Sequence, residues 1–390
     1  MPDENKNNKL CLAIGAGAIG KSITGYIFRK HDLNVIFADV VDDVIDDINR
    51  RNEYVVHSTQ TGENSEDVIV RNVTAYYVSD PAVIEIAINA DYICTAVGAS
   101  GLKILLPTFI EWMNRRNDEQ QKKLYLLLFE NDTECVKIIT DGIENRLGFL
   151  PEWLSIIKTS VERMTKPDKN AENEFNVIAE QFIPVIASKE QLIGSSIESF
   201  KDSFELVENV DAYYYRKLYT NNLGHVVLGY IGLCHGYENT IQAMNDPLIY
   251  NHLTDVLNES GKMLEMKYGF TENEMKMHID SLLMRYRNEE LKDSLQRLAR
   301  DPLRKLGRKE RITGAIYNCI EYDINPDAII KTLFYALHYR DLNDPSVCIL
   351  SEILGRDGIG GVLTQICGMH KNDRVFNIVC KLYADFVLNE

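Results

Sequence analysis

A chain of 390 residues is too long for one ordinary core and suits two domains of typical size. Its formal charge of −16 repels nucleic acid and anionic lipid, because both need a basic footprint on the protein. The first residues, MPDENKNNK, put no apolar stretch behind a basic start, and nowhere does an apolar run reach the roughly 18 residues of a membrane span. The sequence therefore predicts a cytoplasmic protein with a small-molecule partner and neither a nucleic-acid nor a membrane partner. Eight cysteines are scattered without a CxxC pair or a Cys/His cluster of zinc-site spacing, which predicts reduced thiols and no metal site.

In chain order, short apolar runs alternate with helix-like segments through the first half, the pattern of a parallel sheet with crossover helices. Expected strands are Leu10 to Ile14, Val35 to Asp39, Asp91 to Val97 and Leu124 to Phe129, with Ser155 to Val161 and Phe175 to Ile183 extending the same sheet. From about Ala212 onward apolar residues recur at helical spacing, so the second half is expected to be helical. A polar, acidic stretch between Asp202 and Asp211 sets the expected domains at 1–205 and 206–390. The fold class is an α/β N-terminal domain with an extended, mostly parallel sheet, followed by a mostly α-helical C-terminal domain.

The first strand runs into Gly15-Ala16-Gly17-Ala18-Ile19-Gly20, and the residues after it look helical. This is GxGxxG in the strand, turn and helix context of a dinucleotide site. The first glycine permits the tight turn, the second lets the backbone approach a pyrophosphate, and the third allows close helix–sheet packing. The second strand ends in Asp39, placed to accept hydrogen bonds from the adenosine ribose hydroxyls. A carboxylate there repels a 2′-phosphate and no arginine follows at once, which selects NAD over NADP. Thr95, Val97 and Gly98 follow another strand and pass near the cofactor at its carboxyl end.

Oxidising an alcohol by hydride transfer needs a base for the hydroxyl proton and donors for the developing alkoxide. Residues 215–225 offer Lys217, Asn221, Asn222 and His225 on one expected helix. At about 100° per residue, His225 lies roughly 80°, Asn221 roughly 40° and Asn222 roughly 140° around from Lys217. Spacing alone thus prefers Asn221 to Asn222 as the lysine's neighbour.

Lys217-x4-Asn222-x2-His225 resembles the K-x4-N-x2-H signature of the polyol-specific long-chain dehydrogenases. The likeness extends through the segments at 14–21, 37–40, 54–57, 95–98, 130–131, 216–220, 259–261, 267–270 and 302–306, and is greatest to members that act on mannitol 1-phosphate. It implies Lys217 as general base in a metal-independent reaction, Asn222 and Asn131 as the oxyanion hole, and His225 as the residue that orients substrate. It also shows one departure: Val161-Glu162-Arg163-Met164 stands where the family tends to have Val-Asp-Arg-Ile.

Between Arg297 and Arg311 seven basic residues face only Asp301 and Glu310, a local reversal in an acidic protein. Arginine matches phosphate through two parallel charge-assisted hydrogen bonds. Arg300, Arg304 and Lys305 are the expected inward-pointing contacts, since Pro302 to Leu306 resembles the phosphate-using members. The sequence therefore predicts NAD-dependent, reversible oxidation of D-mannitol 1-phosphate to D-fructose 6-phosphate. Its rivals are a mannitol 2-dehydrogenase or a tagaturonate/fructuronate reductase, which need no phosphate pocket, and a non-catalytic NAD-binding regulator, which needs no base.

Overall fold

The computed structural model describes residues 9–59, 67–119, 121–130, 134–168 and 175–389. The chain divides into two compact units, residues 1–214 and 215–390, somewhat later than the polar stretch at 202–211 suggested.

In the first unit β1 (Leu10–Ile14) leads through a π-helical turn (Gly20–Gly25) into α1 (Tyr26–Lys30), then β2 (Asn34–Asp39) and α2 (Asp42–Arg51). A hairpin of β3 (Glu53–Thr59) and β4 (Val68–Arg71) follows, then β5 (Val73–Tyr77), α3 (Pro81–Asn89), β6 (Tyr92–Thr95), α4 (Gly98–Glu119), β7 (Leu124–Leu128), α5 (Cys135–Leu147) and β8 (Leu154–Ser160). The unit continues through β9 (Thr165–Pro167), β10 (Val177–Glu180), β11 (Val185–Ser188) and β12 (Phe204–Val207).

An eight-stranded sheet has the order β12-β11-β8-β7-β6-β1-β2-β5, parallel except where β11 meets β8. Its central strands are buried on both faces, so they read as continuous apolar runs rather than alternating ones. One face packs Phe28, Phe37, Tyr54 and Phe200; the other packs Leu102, Phe109, Trp112 and Ile139 from α4 and α5. Ser155 to Val161 joins this sheet as β8, as expected. Phe175 to Ile183 does not: its strand, β10, lies in a separate four-stranded sheet of order β4-β3-β10-β9. There β10 runs parallel to β3 and antiparallel to β9, and the strand that extends the main sheet is β11.

The π-helical turn has a physical cause. Lys21 O accepts from Tyr54 Oη at 2.9 Å, and Ser22 O accepts from an Arg163 guanidinium nitrogen at 2.7 Å, so outside donors compete for carbonyls of the ladder and widen it. Arg163 is 5 % exposed, lies 5.3 Å from the ring centroids of both Tyr26 and Phe182, which stack on each other, and also donates to Glu180 O at 2.8 Å. Burial lowers its pKa to about 10, which leaves the guanidinium charged at neutral pH. Arg163 thus joins the turn after the glycine motif to the second sheet.

In the second unit α6 (Val210–Tyr219) crosses in from the first, and α7 (Asn221–Cys234), α8 (Thr240–Asn245), α9 (Pro247–Tyr268) and α10 (Glu272–Arg285) follow. Next come α11 (Leu295–Ala299), α12 (Pro302–Lys305), α13 (Thr313–Glu321), α14 (Asp327–His338), α15 (Pro345–Gln365) and α16 (Arg374–Asn389). Among the described residues of this unit there is no strand, only an isolated bridge between Asn239 and Ser294. Asn239 and Thr271 form capping boxes, and Asp246 and Asp344 cap α9 and α15, each just before a proline. α7 is buried almost throughout and presents Gly229 and Gly232 to its neighbours: a Cβ on Gly229 would lie 3.1 Å from Ala299 N, and one on Gly232 would lie 2.5 Å from Leu295. Missing side chains therefore let α11 lie directly on α7, and the basic segment begins within α11 at Arg297.

Arg163→Leu would strand two buried carbonyls, each costing about 1–3 kcal/mol, so the expected loss of unfolding free energy in a urea titration is about 3 kcal/mol.

Candidate active site

The glycine turn is built from contacts, not from flexibility. Gly15 has φ +95°, and a Cβ there would lie 2.6 Å from Ala96 O. A Cβ on Gly20 would run into Gly15 O, so the helix can start only because the third glycine is bare. Gly17 is exposed and a Cβ on it would meet nothing within 4 Å, which leaves an open cradle over the turn. Ala18 and Ile19 flank it, half-buried. Asp39 closes the turn from the end of β2: Oδ2 accepts from Ala16 N at 2.6 Å, and Oδ1 accepts from Val40 N at 2.7 Å and Val41 N at 3.1 Å. A carboxylate offers about four acceptor positions, so one remains for a hydroxyl. These residues fit a dinucleotide: a bare backbone for the pyrophosphate and a fixed carboxylate for a ribose.

Next to this turn β6 ends at Thr95, whose hydroxyl is buried and has no hydrogen-bond partner among the described residues. Val97 and Gly98 open α4, and both their N–H groups are taken by Glu130, just past β7. Asn131 lies outside the described residues.

The expected single helix around Lys217 is two. Thr220, at φ −120° and ψ −77°, separates α6 from α7, and its hydroxyl meets Arg216 O at 2.5 Å and His278 Nε2 at 2.9 Å. A wheel drawn through both helices therefore misplaces every residue after 220. Asn221, which the wheel preferred, is 5 % exposed, with the Tyr286 hydroxyl 3.0 Å from its backbone carbonyl and 3.2 Å from its side-chain carbonyl. Lys217, Asn222 and His225 are each half-buried and so reach the surface of the unit. The His225 ring packs 5.1 Å from that of Tyr286. Its pKa is pushed down to about 3, first by loss of hydration and then by the positive charges of Arg297, Arg285, Arg311 and Lys305. His225 is thus a neutral imidazole at every working pH, able to donate and accept hydrogen bonds but not to supply a proton.

The basic segment behaves differently from its expected inward set. Lys305 alone is buried, at 5 % exposure, donating to Leu298 O at 2.6 Å. Arg304 is exposed and pairs with Asp301 at 2.8 Å and Glu310 at 3.5 Å; Arg300 is exposed and has no ion-pair partner among the described residues. Position in the chain decides this: Lys305 follows Asp301, whose left-handed φ of +59° turns α12 back on Leu298, while Arg300 and Arg304 flank that turn. Burial, then the nearby Arg311 and Arg304, lower the Lys305 amine to about 7. No carboxylate lies within ion-pair distance of it among the described residues.

Residues 9–199 match the profile of the mannitol dehydrogenase Rossmann domain, and residues 209–352 that of the mannitol dehydrogenase C-terminal domain. The chain belongs to the mannitol dehydrogenase family. It is accordingly an oxidoreductase acting on a CH–OH group. A mannitol-1-phosphate 5-dehydrogenase from Buchnera aphidicola subsp. Schizaphis graminum (strain Sg) is 29 % identical over 386 residues, which cover 96 % of this chain and 98 % of the relative. Among solved structures, the ternary complex of Pseudomonas fluorescens mannitol 2-dehydrogenase with NAD and D-mannitol is 14 % identical with a TM-score of 0.74, covering 96 % of this chain and 90 % of that one. D-sorbitol dehydrogenase in substrate-free form is 17 % identical with a TM-score of 0.69, covering 88 % and 83 %. Both structures share the fold of this family member. Among the described residues no helix is long and apolar enough to cross a membrane, and no group of three His, Cys, Asp or Glu is placed to hold a metal ion.

Nothing local in the sequence marks the Glu130 clasp or the Thr220 break, and the α7–α11 contact, unread in the sequence, had its signal in Gly229 and Gly232. Because Gly20 touches Gly15, Gly20→Ala is expected to weaken NADH binding by about tenfold or more, a loss of about 1.4 kcal/mol, read by titration calorimetry.

Proposed function

We propose that this enzyme interconverts D-mannitol 1-phosphate and D-fructose 6-phosphate, with NAD as cofactor and Lys217 as general base. The observation that carries the phosphate is the buried Lys305 amine, which has no carboxylate within ion-pair distance among the described residues, whereas its basic neighbours Arg297 and Arg311 are paired with Asp293 and Glu310. Crowded positive charge, including a buried amine that has no carboxylate partner, is stabilised by an anion. The likeness to a mannitol-1-phosphate 5-dehydrogenase over nearly the whole chain supports the same substrate. The choice of NAD rests on Asp39, whose fixed carboxylate accepts ribose hydroxyls and repels a 2′-phosphate.

Bound NAD supplies the hydride acceptor for the carbinol carbon. Lys217 takes the hydroxyl proton in the oxidative direction and returns it in the reductive one, while Asn131 and Asn222 donate to the developing alkoxide. Asn222 is preferred to Asn221 because Tyr286 already engages the latter. His225, neutral, orients the sugar by hydrogen bonding. Lys305, with Arg300 at the surface beside it, binds the phosphate.

Lys217→Ala is expected to lower kcat by about 10³-fold, within the range of a lost general base, while NADH binding by calorimetry stays intact; retained turnover would remove Lys217 from the base role. Comparing fructose 6-phosphate with fructose and tagaturonate in NADH oxidation tests the phosphate, and preference for an unphosphorylated sugar would sink that assignment.

A second test uses pH. The Lys305 amine is held near 7 instead of 10.5, so it carries charge below that pH and loses it above. KM for fructose 6-phosphate is expected to rise as pH goes from 7 to 8.5, and Lys305→Arg, charged throughout, should flatten the rise.

A further inference from the structure

α7 opens just after the break at Thr220, and its first two turns carry Asn222 and His225. Asn221, Gly224 and His225 are spaced three and four apart, so they share one face of that helix. Tyr286 lies on this face. It is 3 % exposed and follows directly on the end of α10, where its N–H donates to Leu282 O at 3.0 Å. Its hydroxyl donates to Asn221, lying 3.0 Å from the backbone carbonyl and 3.2 Å from the side-chain carbonyl. Its ring lies against Gly224, where a Cβ would come within 2.5 Å of the hydroxyl and 3.1 Å of the ring carbons. The same ring meets the His225 imidazole with 5.1 Å between centroids and 56° between planes.

A neutral imidazole has one donor and one acceptor nitrogen, so turning the ring over exchanges them. His225 is such an imidazole, and orienting a sugar by hydrogen bonding needs its ring held at one angle. A tilted aromatic contact at this spacing is attractive and depends on direction. We propose that Tyr286 is a positioning residue of the redox reaction: anchored through its hydroxyl on Asn221 and seated against the bare Gly224, its ring fixes the angle at which His225 meets the substrate. This inference rests on His225 orienting the sugar. A tyrosine that only filled the core would stabilise the unit without any link to that imidazole.

The test is a double-mutant cycle on the full-length enzyme with fructose 6-phosphate and NADH. Tyr286→Leu, which removes the ring, should lower kcat/KM for fructose 6-phosphate about 30-fold while KM for NADH changes less than about threefold. Tyr286→Phe, which keeps the ring and loses its anchor, should lose only about fivefold. Gly224→Ala should reproduce the Tyr286→Leu loss with the tyrosine still present, because the added methyl displaces the ring. His225→Ala should lower kcat/KM about 100-fold, and adding any of these three changes to it should cost less than about a further twofold, since they act through the imidazole. Full activity in Tyr286→Leu, losses that multiply, or an effect confined to KM for NADH would each overturn the positioning role alone. An unchanged kcat/KM in His225→Ala would overturn the reading of His225 and this inference with it. Should Tyr286→Leu or Gly224→Ala fail to fold, Tyr286→Phe carries the cycle by itself.

Discussion

Backbone packed directly against backbone is the constraint from which the rest follows. At the head of the first unit the helix after the glycine turn starts where Gly20 meets Gly15 O, and no side chain larger than hydrogen fits. That contact aims the start of the helix at the open space above Gly17 and brings Ala16 N onto the Asp39 carboxylate. The second unit repeats the device with different parts. Gly229 and Gly232 let α11 lie on α7, and the chain leaving α11 delivers Lys305 to the neighbourhood of His225. In both units a missing Cβ decides where a charged or polar group is placed.

Electrostatics then sorts these groups. In a chain with a formal charge of −16, the His225 imidazole stays neutral first because burial strips its hydration and then because positive side chains are gathered around it. The Lys305 amine gives up charge near neutrality for the same two reasons, burial first and then the nearby Arg311 and Arg304. Glu130 shows the opposite arrangement, a buried acceptor provided with two backbone donors. Each follows the rule that a buried charge is kept only where dipoles or counter-charges support it.

Much of this was legible in the sequence, because apolar periodicity and the glycine motif are local. β1 spans the residues read as the first strand, and the helical second half follows from spacing alone. The misreadings share a cause: each depends on a partner distant in the chain. Val177–Glu180 looks like any buried strand, yet its pairing with β3, some 120 residues earlier, sends it to the second sheet. At the break the Thr220 hydroxyl meets His278, and Asn221 is engaged by Tyr286, both partners more than fifty residues away in the chain. Arg304 looked inward by its place in a motif, but Asp301 and Glu310 hold it at the surface. Local pattern names the residue types of a site, and tertiary partners decide which of them face it.

The depressed basicity of Lys305 has a chemical consequence separate from ligand binding. An ordinary lysine is an ammonium ion at neutral pH and a poor nucleophile, whereas an amine titrating near 7 is half unprotonated there. Lys21, lowered to about 8 beneath the glycine turn, is the milder counterpart in the other unit. Both amines owe that lowered basicity first to burial, each being about 5 % exposed, so what frees their lone pairs also shields them, and an electrophile reaches either position only where the surrounding packing opens.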